Sequence, residues 1–506
     1  MSGEKGQALP MAILALTIGM LVISPFLGHA STSLISSRTY GEVIAHRNAC
    51  DAGVEHAIWS LTKGSLAEQL PDPGDEITYQ LPETLNGVST TITVTANVVG
   101  SGGTIGDIGA VIDTLIFDTS AGYTPDIIGV SSNVCAIAYR GSSNKGYLKT
   151  VSIASDGNIG NSAIDTLNFQ TSNCYEPDII QVTGNIYAIA YRGASNRGII
   201  NTVSIAANGD IGNSVISSLT FDTSACYEPN IVQVASNIFA IAYRGSTNRG
   251  YIKTVSIAAN GVIGSSVIST LIFDTSACYN PVIIQVASGI YAIVYRGTSN
   301  RGYLKTVSIA ANGVIGSSVI STLIFDSSAC YEPDIIQVTG NIYAITYRGP
   351  SNDGYLKTAS IAANGVIGSS VISTLIFDSS TGYESDIVQV ASNTFAIAYR
   401  DSSNLGYLKT VSIASDGTIS QTVIDTLNFE TSNCLEPSTL NVSGNIFAIA
   451  YRGTSNYGYV KTININKQGG TPSASYEIVA TAGGKSIRAY VNTENETATI
   501  ISWQIE

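Results

Sequence analysis

Seven arginines stand in strict step, at Arg140, Arg192, Arg244, Arg296, Arg348, Arg400 and Arg452, each directly after a tyrosine. The interval never varies: 192 − 140 = 52, and so on to 452 − 400 = 52. Carboxylates keep the same beat. Asp118, Asp222, Asp274, Asp326 and Asp378 occupy one equivalent place, with Gln170 and Glu430 in the two others. A guanidinium grips a carboxylate through two parallel hydrogen bonds, so this arginine set and this aspartate set are expected to form ion pairs that lock each repeat to its neighbour. A second acidic series follows in Tyr175-Glu176-Pro177-Asp178, Tyr227-Glu228-Pro229-Asn230, Tyr331-Glu332-Pro333-Asp334 and Tyr383-Glu384-Ser385-Asp386. Glu176, Glu228, Glu332 and Glu384, with Asp178, Asp334 and Asp386, are candidates for a ring that binds a cation or a polar ligand; solvated turn roles are the alternative. Tyr147, Tyr251, Tyr303, Tyr355, Tyr407 and Tyr459 recur in polar loops. Aromatic faces beside carboxylates suit sugars, which offer an apolar ring face and hydroxyl donors together. The plainer role for these rings is to cover seams between repeats.

Other reactive residues point away from catalysis. The three histidines, His29, His46 and His56, all precede the repeats. Five of the seven cysteines recur, at Cys174, Cys226, Cys278, Cys330 and Cys434, with Gly122 and Gly382 in the equivalent places. Equivalent atoms on separate repeats lie too far apart for disulfides, and the spacing fits no zinc pattern, so they read as small buried thiols. Asn260–Asp274, Asn312–Asp326 and Asn364–Asp378 are identical in sequence, whereas catalysis needs one asymmetric constellation. No phosphate loop, nucleophile elbow or metal motif is present. The expected protein is therefore not an enzyme and has no cofactor or metal. A net charge of −13 argues against nucleic acid as a partner.

The elements that must position these residues follow from one repeat. Asp178–Val182, Ile186–Tyr191, Thr202–Ala206 and Val215–Phe221 are short β-type runs separated by Gly184-Asn185, a polar loop and Asn208-Gly209, with Asn-Gly a strong hairpin signal. The second run is apolar on both faces, small at Ile186, Ala188 and Ala190 and large at Tyr187, Ile189 and Tyr191, as in a sheet sandwiched between two others. A period this long means a propeller or a solenoid. The ends decide. A spare fourth run, Val111–Phe117, precedes the first set, and no fourth run follows Thr462–Asn466. A closed ring needs this complement, so the reading is mainly β, a seven-bladed β-propeller of 52-residue blades closed by the N-terminal strand, with a β-solenoid as the alternative.

Residues flanking the ring read differently. No charge occurs from Gln7 to Ala30, and Ala8–Leu27 offers 20 largely apolar positions, about enough to span a bilayer. Helical spacing continues through Tyr40, Val43, Ile44, Val54, Ala57, Ile58 and Leu61. With Gly6-Gln7-Ala8-Leu9-Pro10-Met11 and Cys50–Leu61, this layout resembles the type IV pilins and pseudopilins, particularly PilX-like minor pilins. The resemblance implies prepilin cleavage after Gly6 and retention of the helix as anchor; Met11 stands where most pilins have glutamate, which puts polymerisation in doubt. A signal peptide cut after Ala30 is the alternative. The expected domains are a leader (1–6), a helix (7–63), a small pilin-like α+β head (64–100 and 468–506) and the propeller (101–467) inserted into it. Function is expected to be binding or adhesion at the cell surface, membrane-anchored or pilus-associated, towards a glycan, a surface or a partner protein, with pilus or pseudopilus subunits as further partners. A structural filament-tip role without a ligand and a polysaccharide hydrolase or lyase are the rivals.

Overall fold

The computed structural model describes residues 8–70, 74–100, 104–467, 473–494 and 497–505. The chain divides into two compact units, one made of Met1–Gly103 with Gly470–Glu506 and the other of Thr104–Gly469.

In the second unit seven four-stranded antiparallel sheets follow one another. Each blade runs from an innermost to an outermost strand, as in Tyr175–Thr183, Ile186–Arg192, Gly198–Ser204 and Ser217–Asp222. The last blade takes its fourth strand from the opposite end of the unit: Ile108–Asp118 pairs with Gly458–Ile465. This joins the ends of the ring and makes a propeller.

The packing follows from the two faces of the second strand. Every residue from Ile186 to Tyr191 is buried. The small face, Ile186, Ala188 and Ala190, forms one cluster with Phe239, Ile241 and Tyr243 of the next blade. Small side chains of one sheet thus receive large ones of its neighbour, and the same arrangement joins the last blade to the first, where Ala448 and Ala450 meet Ile137 and Tyr139. A buried threonine hydroxyl crosses every seam to a turn carbonyl. Thr150 donates to the Gly209 carbonyl, and the series runs on through Thr410 to Gly106 and Thr462 to Gly157, at 2.5–2.6 Å. The acceptors sit in tight turns; Gly209 has φ 96°, a conformation open to glycine at no steric cost.

The first unit is an antiparallel five-stranded sheet, in the order Glu76–Gln80, Thr91–Gly100, Ser473–Ala482, Lys485–Glu494, Thr497–Ile505. The helix Ala8–Thr62 packs on it through Ala49, Cys50, Val54, Ala57 and Leu61. Gly53 allows the approach, since a Cβ there would meet Thr90 at 2.9 Å and Ala480 at 3.0 Å.

The expected membrane anchor is corrected. Among the described residues no helix is long and apolar enough to cross a membrane. A single-pass, membrane-anchored location is therefore not supported. The cleavage expected after Gly6 lies outside the described residues.

Ring closure predicts a cooperative response to truncation. Deleting residues 104–118 removes the buried Phe117, the Gly106 acceptor of Thr410 and the partner strand of Gly458–Ile465. The expected cost is at least about 3–5 kcal/mol, the scale of losing one buried aromatic, with the whole unit melting lower in a single transition. An unchanged melting curve would refute cooperative closure.

Candidate functional site at the ring axis

The innermost strands begin with the Tyr-Glu-Pro-Asp approach, and its second residue is left-handed in every blade. Glu176, Glu228, Glu332, Glu384 and Glu436 have φ of 50–55°, with Thr124 at 45° and Asn280 at 48° in the two remaining places. Such residues cost on the order of 1–3 kcal/mol each unless the surroundings fix them. What the conformation gives is a carboxylate held between two blades. Glu176 receives the Nε and Nη2 of Arg192, at 3.2 and 3.0 Å, and also accepts the backbone N–H of Glu228 in the next blade at 2.8 Å. The same triple contact recurs along the ring, and Glu436 closes it by accepting the Thr124 N–H at 2.7 Å. Five of the guanidinia also lie between two tyrosine rings, that of Arg192 at 4.3 Å from Tyr175 and 5.0 Å from Tyr227; Arg400 and Arg452, on either side of Leu435, have one ring each, Tyr383 and Tyr123.

The arginine–aspartate pairing expected from spacing is thereby corrected. In five blades the arginine at the end of the second strand pairs with its own blade's glutamate, and among the described residues none of Arg140, Arg192, Arg244, Arg296, Arg348, Arg400 or Arg452 pairs with the outermost-strand acids. Asp118, Asp222, Asp274, Asp326 and Asp378 do lock seams, but through other partners. Asp326 accepts the Tyr347 hydroxyl at 2.6 Å and the Lys357 ammonium at 2.9 Å, both from the following blade. Lys149, Lys253, Lys305, Lys409 and Lys461 repeat that role with Asp118, Asp222, Asp274, Asp378 and Glu430. Where the acid is Gln170, the lysine is replaced by Asn201, which donates to the Phe169 carbonyl. Burial alone would raise the Asp326 carboxyl, but hydrogen bonds from Tyr347, Lys357 and the Ser328 N–H outweigh it and hold the group below the usual range. The lysines and Glu436 recur at 52 residues too, so periodicity alone could have flagged them.

The tyrosines read as open loop residues are also corrected. Tyr147, Tyr251, Tyr303, Tyr355, Tyr407 and Tyr459 are the second residues of the third strands, half-buried. Each stacks on the buried tyrosine of the strand beside it, at 5.4–5.8 Å between centroids. Gly141 lies against Tyr147 so closely that a Cβ would stand 2.4 Å from the ring. The recurring cysteines are buried and free, and burial pushes the thiols of Cys226, Cys278, Cys330 and Cys434 well above their ordinary value.

Inside the glutamate layer lies a second ring: Asp126, Asp178, Asn230, Val282, Asp334, Asp386 and Ser438. Asp178 accepts the Ile231 N–H and the Asn230 amide of the next blade at 2.5 and 3.1 Å; Asp126 accepts the Ile179 N–H at 2.8 Å. Asp126 and Asp178 act on each other's charge, as do Asp334 and Asp386. Burial pushes Asp126 up to about 6, and burial with the charge of its paired carboxylate raises Asp178 and Asp334 well above the usual range. Close like charges disfavour ionisation of both members of a pair. Glutamates, aspartates and the prolines between them line a cavity of ≈ 330 Å³ at the axis. The structure thus gathers Glu176, Glu228, Glu332, Glu384, Asp178, Asp334 and Asp386 in one place and leaves the Tyr147 series out of that lining.

Three buried polar atoms of this layer lack a protein partner: Thr124 Oγ1, Ser385 Oγ and Arg296 Nε. Thr124 and Ser385 line the cavity. Among the described residues no group of three or more histidine, cysteine or acidic side chains is placed to hold a metal ion.

No protein-family profile and no curated protein matches the chain. Among solved structures it is similar to a periplasmic gluconolactonase of Pseudomonas aeruginosa (11% identity, 71% of this chain and 97% of that one, TM-score 0.44). It is similar also to a protein of unknown function from Dyadobacter fermentans (10% identity, 70% and 98%, TM-score 0.42) and to NanB sialidase of Streptococcus pneumoniae (10% identity, 68% and 70%, TM-score 0.40). Among the described residues no helix is long and apolar enough for the pilin anchor and no pilin family is shown, so the resemblance to minor pilins drawn from Gly6–Met11 and Cys50–Leu61 is withdrawn.

Two expectations follow. Lys357→Met strands the buried Asp326 and should cost about 3–5 kcal/mol, whereas Lys357→Asn combined with Asp326→Gln recreates the neutral Gln170–Asn201 seam and should recover most of the loss in urea unfolding. The raised carboxyls give a pH signature of definite sign. Asp126 holds its proton to about 6 in the folded chain and only to lower pH in the unfolded one, so this contribution is full at low pH and is lost as pH rises through about 6. Asp178→Asn places an amide where Asn230 already stands in the neighbouring blade, and it removes the carboxylate that lies beside Asp126. It should stabilise the protein more at pH 7 than at pH 4; an equal effect at both pH values would refute the coupling of the two carboxyls.

Proposed function

We propose that the propeller is a binding module, not an enzyme, and that its ligand is a small polar molecule seated in the axial cavity. The observation that carries this is the cluster of partnerless buried polar atoms, Thr124 Oγ1, Ser385 Oγ and Arg296 Nε, in the one layer that lines or adjoins that cavity. Buried polar atoms are nearly always satisfied, and a ligand bearing donors and acceptors would satisfy these. Carboxylates accept hydroxyl donors while the prolines between them offer apolar faces, so a sugar is a fitting class. The paired aspartates resemble acid–base equipment, yet Asp126, Asp178, Asp334 and Asp386 each accept a backbone N–H from the following blade, which favours a clamp between blades.

A second reading has its own support. Most of the glutamates and arginines are already consumed by one another, as a ring built only for rigidity would require. A glycan and small-solute binding screen on the full chain separates the two, with Val282→Phe to fill the cavity and Tyr251, Tyr303, Tyr355 and Tyr407 replaced together by alanine. The axial reading expects Val282→Phe to abolish binding, by at least about tenfold, with melting little changed, and the alanine set to lower melting above all. Binding that survives in Val282→Phe would sink the axial reading; absence of any ligand would leave the ring a scaffold.

A further inference from the structure

In five blades the arginine fork is filled from within, by Glu176, Glu228, Glu332, Glu384 and Glu436 on Arg192, Arg244, Arg348, Arg400 and Arg452. In two it is not. Thr124 and Asn280 stand where the glutamate belongs, and among the described residues Arg140 and Arg296 have no carboxylate partner. Each keeps only an asparagine on Nη1, Asn144 at 3.0 Å and Asn300 at 3.4 Å, together with its tyrosine rings. Both blades also hold a partnerless buried atom at this spot, the Thr124 hydroxyl in one and the Arg296 Nε in the other. Thr124 and Asn280 line the axial cavity, so the place left by each missing carboxylate is on the cavity side.

We propose that Arg140 and Arg296 are the recognition points for a carboxylate-bearing ligand, whose carboxylate takes the position that glutamate occupies in the other five blades. The inference rests on the axial binding reading and names the chemistry of its ligand. The five glutamates serve as an internal template. They show that this fork accepts a planar two-oxygen group through Nε and Nη2, and in three of them the guanidinium is held between two aromatic rings, as it is at Arg140 and Arg296. A spherical anion meets both N–H groups only through bent hydrogen bonds to one centre, whereas a carboxylate gives each its own in-line oxygen, so the sites favour carboxylate over chloride. At the first site the Thr124 hydroxyl adds a donor. Thr124 is β-branched at φ 45°, an outlier for such a residue, so the position keeps a more strained side chain that leaves the fork open where a less strained glutamate would close it.

The test uses the full chain and the simplest probe, acetate. Because acetate is also excluded from protein surfaces and stabilises proteins generically, melting is compared in potassium acetate and potassium chloride of equal ionic strength, alongside line broadening of ¹³C-acetate in NMR. The wild-type protein should melt higher in acetate, since a ligand that binds only the folded state raises the midpoint. The Thr124→Glu/Asn280→Glu variant fills both forks from within. It should melt above wild type without acetate, by about 2 °C or more, lose the acetate-specific increment and broaden acetate no more than an unrelated protein does. An equal acetate increment in both proteins, or no acetate-specific response in wild type, overturns the proposal. Neither result bears on whether Val282→Phe abolishes binding of another solute, so failure here is distinct from failure of the axial reading.

Discussion

Everything in the second unit depends on one seam repeated seven times. A ring of equivalent blades closes only if each interface is complementary to itself after a fixed rotation, and one insertion in one blade would break that rotation. The unbroken 52-residue count is the sequence form of this requirement. Its physical content is the meeting of a small face with a large one, the Ala188–Ala190 side of one sheet against Phe239–Tyr243 of the next. Close-packed interiors tolerate little change in volume, so the small residues are as constrained as the large. The threonine-to-turn bonds, the aspartate–lysine–tyrosine clusters and the glutamate N–H contacts then satisfy the polar groups that this packing buries.

Charge is handled in the same paired way. The seam between the first two blades replaces both members of the usual pair, Gln170 for the acid and Asn201 for the lysine. A half-change would leave an uncompensated buried charge, which is far costlier than a neutral pair. The aspartates at the axis solve the problem differently. Burial raises Asp126 and Asp178 and so favours their neutral forms, and in the third blade an asparagine removes the charge altogether.

How much of this was legible follows from what periodicity encodes. Strand runs, blade number and closure by Val111–Phe117 could be read, because they depend on pattern and count. Partners could not. Arg192 and Asp222 recur in step, and so do Arg192 and Glu176, and counting cannot say which acid the guanidinium reaches. The answer lies in the left-handed turn at Glu176, which brings its carboxylate onto the arginine of its own blade. The Tyr147 series was misplaced for a related reason. A polar loop precedes it, but the strand begins at Gly146, so the ring stacks in the sheet. Lys149 and its equivalents were passed over because a lysine in a β-run reads as solvated surface. In the first unit the amphipathic spacing through Val54, Ala57 and Leu61 was sound as helix packing, whereas a resemblance resting on a dozen and a half residues did not carry a family.

In a repeat protein, function is sought where the repeats depart from one another. Identical blades share identical needs, so a residue common to all seven is explained by the ring. The departures at the axis are few: Thr124 and Asn280 for glutamate, Asn230, Val282 and Ser438 for aspartate, Ser385 for proline. Three of the six partnerless buried side-chain atoms fall in this layer, at Thr124, Ser385 and Arg296. Drift without function would be expected to scatter such defects over the outer strands, where they cost least. Here they gather around the one cavity that all seven blades build together, and the two unfilled arginine forks belong to blades on different sides of it. The symmetry of the chain makes the cavity; its breaks give that cavity a chemistry.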